Sequence, residues 1–238
     1  SSDRRSIVQA YSAGAHQLLS MPLTVKSLDE AIAPLMDRSI EWLWGGLSDV
    51  QQSALKISLK LFEDAQTSLL RGDGLEPNTV TRTCSSIITA VGHEGFPALL
   101  DALRSHHNYT FRHSMYVTGS LVAFANTLGF GEADIARAAR AGLLHDVGKF
   151  STPGAILNKP SKLDAAEWAI MQRHAADGAD ILARNGDWPE DVVDAVKHHH
   201  ERLDGSGYGD HLMAADITDL TRMVSIADTI SALIDKRA

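Results

Sequence analysis

His113, His145, Asp146, His174, His199, His200 and Asp228 lie at long intervals along the second half of the chain. Imidazole and carboxylate together form a ligand set for divalent first-row metals. Seven such groups are too many for one ion. They suit a pair of metals bridged by a carboxylate, and such pairs drive in-line displacement at phosphorus. The residue types alone therefore point to a metal-dependent phosphoesterase.

Ligands this far apart in sequence need rigid elements to bring them together, and the pattern is helical nearly everywhere. Ser27 with Glu30 and Ser48 with Gln51 read as capping boxes. Leu55, Leu59, Phe62 and Leu69 continue the second of these at helical spacing as far as Arg71-Gly-Asp-Gly74. A helix carrying Val80, Cys84, Ile87, Ile88 and Val91 should end near Gly92, and Pro97 should open a short one through Leu103. His113, Val117 and Leu121 share a face. A helix from about Glu132 leads through Ile135, Ala138 and Leu144 into His145-Asp146, with Gly148 placed to end it. Asp164 and Glu167 form a third capping box, opening one helix through Trp168, Met171, His174 and Ile181 to a stop at Gly186. Pro189 starts a helix whose valines 192, 193 and 196 lead to His199-His200, and a last helix from about Asp219 holds Val224, Ile226, Asp228, Ile230 and Leu233. No stretch alternates with period two, and no repeat or low-complexity linker is present. The fold class is all-α, a helical bundle with buried metals. An ionisable group on such an inward stripe is costly unless it is paired or metal-bound.

Taken singly, each ligand has a bland reading. A lone histidine on an apolar face is more often a satisfied core residue, and Asp228 alone could pair with an arginine. The adjacent pair His145-Asp146 and the histidine run after a valine stripe make that reading weak for the set. His198 is ambiguous, whereas His16, His93, His106, His107 and His211 read as ordinary residues.

A net charge of −8 and a pI near 5.7 argue against a general binder of nucleic-acid polymers. They leave room for an anionic substrate, because bound metals reverse the local field. The single cysteine, Cys84, cannot form an internal disulfide and fits a reducing, cytoplasmic setting. No apolar run approaches the roughly eighteen residues of a spanning helix, and the opening Ser1-Ser-Asp-Arg-Arg lacks a signal peptide's apolar segment. A soluble intracellular chain, or an intracellular part of a larger one, is expected.

Residues 109–237 resemble the HD-GYP domain, a branch of the HD phosphohydrolases that hydrolyses the bacterial second messenger cyclic di-GMP. The matching stretches are Tyr109-Thr-Phe-Arg-His113-Ser, Gly142-Leu-Leu-His-Asp-Val-Gly-Lys149, Pro153-Gly-Ala-Ile-Leu-Asn-Lys-Pro160, Glu167 to His174, His199 to Tyr208, and Ala227-Asp-Thr-Ile-Ser-Ala-Leu233, in the family's order and spacing. The dipeptide His-Asp is weak by itself; the series is specific. The resemblance implies two divalent metals, iron or manganese. His113, His145, Asp146 and Asp228 would bind one, and His174, His199 and His200 the other, with Asp146 as the bridge. It also implies that Lys149 and Arg237 contact substrate phosphate, and that a metal-bridging hydroxide attacks to give pGpG, which many relatives cut again to GMP. The leaving 3′-oxygen needs a proton, for which Lys149 and a metal-bound water are the candidates. Glu201 is expected to support a ligand histidine from outside, although an exposed acidic role is nearly as good a reading.

Two positions depart from the pattern. Gly209 stands where the motif has proline, which puts loop rigidity in question. Tyr109 stands where some members place a glutamate for a third metal, so two metals are expected. The chain divides into a helical region 1–96, with a regulatory, dimerisation or packing role, and a catalytic domain 97–238. Packing is the preferred role for Ser48 to Leu70, and Trp42 and Trp44 read as core or interface. The alternatives are an HD-type hydrolase of another nucleotide, such as a cyclic GMP-AMP dinucleotide, and a non-catalytic module. That module would bind cyclic di-GMP or a diguanylate cyclase (GGDEF) partner; a homodimer is a further arrangement. No membrane span is expected.

Overall fold

The computed structural model describes residues 44–234, apart from 105, 107 and 185, together with scattered positions between 9 and 42. Arg237 and Glu30, the second member of the first capping box, lie outside the described residues. A short 3-10 turn, Trp44–Gly46, precedes α1 (Asp49–Leu70), α2 (Pro77–Glu94), α3 (Phe96–Leu103), α4 (Tyr109–Thr127) and α5 (Glu132–Leu144). A 3-10 turn, Val147–Ser151, then leads to α6 (Gly154–Leu157), α7 (Ala165–Gln172), α8 (His174–Arg184) and α9 (Glu190–His198). After a third 3-10 turn, Ala214–Asp216, the described chain closes with α10 (Asp219–Ile234). Among the described residues there is no strand, only an isolated antiparallel bridge between Asp204 and Met213. No described helix is long and apolar enough to cross a membrane.

The helix starts follow their caps. Both expected boxes within the described residues form: Gln51 N–H donates to Ser48 Oγ at 3.3 Å and Ser48 N–H to Gln51 Oε1 at 3.4 Å. Asp164 Oδ1 accepts from Ala166 and Glu167 N–H, and Glu167 Oε2 from Asp164 N–H. Three expectations need correction. First, α2 runs through Gly92 to Glu94, because a mid-helix glycine costs only about 1 kcal/mol and Ile87, Ala90 and Val91 are buried around it.

Second, the helix opened at Asp164 is two helices, α7 and α8, broken at Arg173, whose N–H bonds Ile170 O at 3.2 Å in 3-10 fashion. Third, Gly148 ends nothing: α5 already stops at Leu144. A Cβ on Gly148 would sit 1.9 Å from His174 O, so the residue is glycine to let the segments carrying His145 and His174 touch.

The last helix also faces differently from its apolar residues. Ile226, Ile230 and Leu233 are 61%, 47% and 74% exposed, while Val224, Ala227 and Ser231 turn inward. Val224 and Ala227 join Val117 and Leu121 of α4 in a small cluster. A larger core runs continuously from Trp44, Leu55 and Phe62 through Phe111 and Leu144 to Val192 and Val196, crossing position 96. Trp44 Nε1–H donates to Ala102 O at 3.0 Å and its ring stacks on His106, which fastens the N-terminal turn to the end of α3. Phe62 of α1 meets Phe111 and Phe150 edge-on, with centroids 5.6 and 6.0 Å apart. The N-terminal helices thus press on the turn that holds Lys149.

Candidate metal centre

Five segments converge on one buried point. The second turn of α4 supplies His113, and the end of α5 supplies His145 with Asp146 directly after it. The junction of α7 and α8 supplies His174, the end of α9 supplies His199 and His200, and α10 supplies Asp228. His113, His145, Asp146, His174 and His199 are buried; His200 and Asp228 are partly open.

Asp146 lies between two groups. Its Oδ2 is 3.5 Å from His113 Nε2 and 3.3 Å from His145 Nε2, and its Oδ1 is 3.4 Å from His174 Nε2 and 3.9 Å from His199 Nε2. Asp228 spans the same divide: Oδ1 is 2.9 Å from His113 Nε2, and Oδ2 is 3.8 Å from His200 Nδ1. His113, His145 and Asp146 form one group with donor atoms mutually within 4.8 Å, and His174, His199 and His200 form a second. The structure therefore brings together all seven expected positions.

Three of the histidines are oriented by one local device. Nδ1–H of His145 donates to Gly142 O at 2.7 Å, that of His174 to Met171 O at 2.7 Å, and that of His199 to Val196 O at 2.8 Å. Each ring sits at a helix end and uses a carbonyl three residues back, where the last turn leaves acceptors free. Donation from Nδ1 fixes the tautomer and leaves the Nε2 lone pair facing inward. His113, inside α4, instead meets Ser231 Oγ at 3.1 Å across to α10. Glu201 supports none of these rings: its Oε1 accepts Asp210 N–H at 2.6 Å. The helix-end carbonyls already occupy the place expected for it.

Charge and burial prepare the cluster for a cation. Burial alone would raise the Asp146 carboxyl, but His145, Lys149 and His174 together hold it well below the usual carboxylate range. Asp228 follows the same pattern: burial raises it, and the His113 hydrogen bond together with the charges of His145 and His200 brings it below the usual value. Burial pushes His174 down and, with neighbouring imidazoles, His199 far down; it takes His200 to about 3. Burial also lowers His145, but the hydrogen bond and charge of Asp146 with the charge of Asp228 together carry the net shift upward.

The donor set fits divalent metal. His174 Nε2 and His199 Nε2 face each other at 3.4 Å as two lone pairs with no proton between them. Asp146 Oδ1 is buried without a hydrogen-bond partner. Facing acceptors and an orphaned carboxylate oxygen are costly in a dry site, and a cation removes both costs.

Comparison with known proteins agrees with this geometry. The family model described as "HD domain" matches residues 110–233, more than half of the chain. The chain belongs to the HD domain family. The chain is similar to a cyclic di-GMP phosphodiesterase of Pseudomonas aeruginosa, 33% identical over 179 residues, covering 75% of this chain and 42% of that protein. It is also similar to the 3′3′-cGAMP-specific phosphodiesterases 2 and 3 of Vibrio cholerae. These are 39% and 30% identical, covering 59% and 89% of this chain and 27% and 45% of those proteins. The chain thus spans less than half the length of these curated relatives. Among solved structures, an HDG"Y"P protein from Bdellovibrio bacteriovorus superposes with a TM-score of 0.61 at 18% identity, over 78% of this chain and 59% of that one. The likeness to the HD-GYP branch read from the motifs therefore extends to the fold.

At the mouth of the HD domain site, Lys149 Nζ donates to Asp146 Oδ2 at 2.5 Å with its side chain almost buried. The Tyr208 ring leans on His200, centroids 4.6 Å apart, and burial pushes its phenol upward. Tyr109, in place of the third-metal glutamate, stacks flat on His113 at 5.6 Å. Gly209 has φ +131°, which proline cannot adopt. A Cβ there would lie 2.9 Å from Glu201 Oε1 and 3.0 Å from Lys197 O.

The loop is held by other means. Beyond the Asp210–Glu201 contact, His198 bridges Asp194 at 2.8 Å and Asp210 at 3.2 Å, and Lys197 reaches Asp210 at 2.6 Å. His198, ambiguous in sequence, belongs to this clasp. Sequence reasoning missed Ser231 as a partner of His113. Its spacing from Asp228, three residues on along one helix face, was the available signal.

Proposed function

We propose that this chain carries the catalytic unit of a metal-dependent phosphodiesterase that hydrolyses cyclic di-GMP to pGpG. One observation carries the reading: a buried aspartate, Asp146, presents one oxygen to His113 and His145 and the other to His174 and His199. The proposal assigns two ions, iron or manganese. One is held by His113, His145, Asp146 and Asp228, and the other by His174, His199 and His200, with Asp146 shared. Bound there, such ions acidify water and neutralise charge on phosphoryl oxygens.

The chain's own residues do the rest. The inner histidines are locked at Nδ1, so their Nε2 atoms keep one direction throughout turnover. Lys149, beside Asp146 at the mouth, holds the substrate phosphate, and it and a metal-bound water are the candidate donors of the proton to the leaving 3′-oxygen. Arg237 is proposed as a second phosphate contact. Tyr208, protonated at neutral pH as any phenol is, offers a neutral donor at the opening.

Residues 97–238 are proposed as the catalytic domain. Region 1–96 serves chiefly as packing, a role supported by the contacts of Phe62 and Trp44. A cytoplasmic setting, and a GGDEF partner or second copy docking on the chain, complete the proposal.

A second reading, hydrolysis of 3′3′-cGAMP, is favoured by the 39% identity to a relative of that name. The test is an anaerobic assay of protein loaded separately with ferrous iron and manganese, with both cyclic dinucleotides, chromatography of products and metal counting. Metal-dependent pGpG from cyclic di-GMP with about two ions per chain supports the first reading. Turnover confined to 3′3′-cGAMP replaces it with the second. Two ions and no turnover of either overturns both.

A further inference from the structure

A ladder of rings leads out of the metal centre. His174 and His200 lie edge-on at 5.0 Å, Tyr208 leans on His200 at 4.6 Å and 31°, and Trp168 meets Tyr208 edge-on at 6.2 Å and 83°. The inner members are sheltered. The last is not: Trp168 is 48% exposed although it precedes a buried Met171 on α7. Its position is nevertheless fixed. The Asp164–Glu167 capping box sets the start of α7, and Lys159 Nζ grips both oxygens of Glu167 at 2.6 and 2.5 Å. An indole held by a braced helix, with an edge against a tyrosine and much of its surface in solvent, forms half of a stacking pair. Aromatic faces of this kind hold nucleobases at about 1–3 kcal/mol per base and tolerate any base, because every base has a π-face.

We infer that Trp168, walled on one side by Tyr208, is a base-stacking subsite that takes one nucleobase of the substrate while its phosphate lies at the metal centre. The inference rests on the phosphodiesterase reading and adds to it a residue that selects nucleotides over base-free phosphodiesters. One ring, Tyr208, separates Trp168 from His200 of the metal centre. The Tyr208 and Trp168 rings stand 83° apart, so Tyr208 does not itself lie flat on the indole.

The test uses the metal-loaded full chain and two variants, Trp168→Ala and Trp168→Phe. With cyclic di-GMP, Trp168→Ala should raise KM about 5- to 150-fold while kcat stays within a small factor, and Trp168→Phe should recover most of the loss. Independently of turnover, binding of GMP and of ribose 5-phosphate to the unaltered chain is compared by calorimetry. GMP should bind more tightly, and that advantage should vanish in Trp168→Ala and persist in Trp168→Phe. Equal binding of GMP and ribose 5-phosphate, or an unchanged KM in Trp168→Ala, overturns the subsite. So does a fall in kcat with bound metal, which would make Trp168 a support of the centre. If the unaltered chain turns over no cyclic dinucleotide yet prefers GMP through Trp168, the phosphodiesterase reading fails and the subsite stands.

Discussion

The candidate ligands reach the candidate centre in two ways. His145, His174 and His199 stand at helix ends, each clamped by a carbonyl three residues back in its own chain. His113 and Asp228 stand inside helices, and their placement depends on how α4 and α10 pack, through Val117, Leu121, Val224 and the Ser231 hydroxyl. The first arrangement is local: the backbone that makes the helix also aims the ligand, and no side-chain substitution elsewhere can remove the clamp. The second is tertiary and can be loosened from a distance. One half of the centre is therefore preorganised by secondary structure and the other by packing.

The largest effect should come from removing a ligand from the local half. His174→Ala should lower cyclic di-GMP turnover by more than the roughly 10–100-fold cost of losing a ligand's outer partner. Steady-state assay with metal counting reads it, and a retained full complement of metal would break the two-group assignment. Next comes the packing half. Val224→Ala removes fully buried methyl groups between α4 and α10 and should cost about 2 kcal/mol in unfolding of the metal-free chain. A metal titration should then show one site weakened and the other unchanged; equal weakening of both would erase the distinction. Ser231→Ala should weaken the same site by about 10-fold, again by titration, with thermal stability little changed. The smallest effect concerns Cys84, whose thiol is buried in α2 and pushed up to about 12. It should react with a thiol reagent at pH 8 only when the fold opens, and metal loading should slow that reaction a few-fold. No slowing would mean that α2 opens separately from the centre.

Much of this was legible in the sequence, for a physical reason. Histidines and aspartates on apolar helical faces are costly, so their types and positions stand out against an ordinary background. The capping boxes at Ser48 and Asp164 fixed helix starts because they are local and chemical. Grouping the ligands into two sets came from family resemblance, since spacing alone does not say which distant residues meet. What stayed hidden depended on tertiary contact. The apolar period from Trp168 to Ile181 continues through the break at Arg173. The last helix carries apolar residues on two faces, so only packing against α4 reveals that Ile226, Ile230 and Leu233 face outward. Glu201 looked like a histidine partner because no sequence rule shows that helix-end carbonyls are nearer.

The glycine at 209 also bears on the order in which changes can accumulate in such a loop. Its backbone angle is closed to the residue the motif usually holds, and Glu201 and Lys197 fill the space a ring would need. Putting proline back in one step should therefore not repair a defect but create one, loosening Asp210 from Glu201 and shifting Tyr208 off His200. Proline at 209 therefore requires the backbone angle itself to change, and relieving the contacts with Glu201 and Lys197 alone does not admit it.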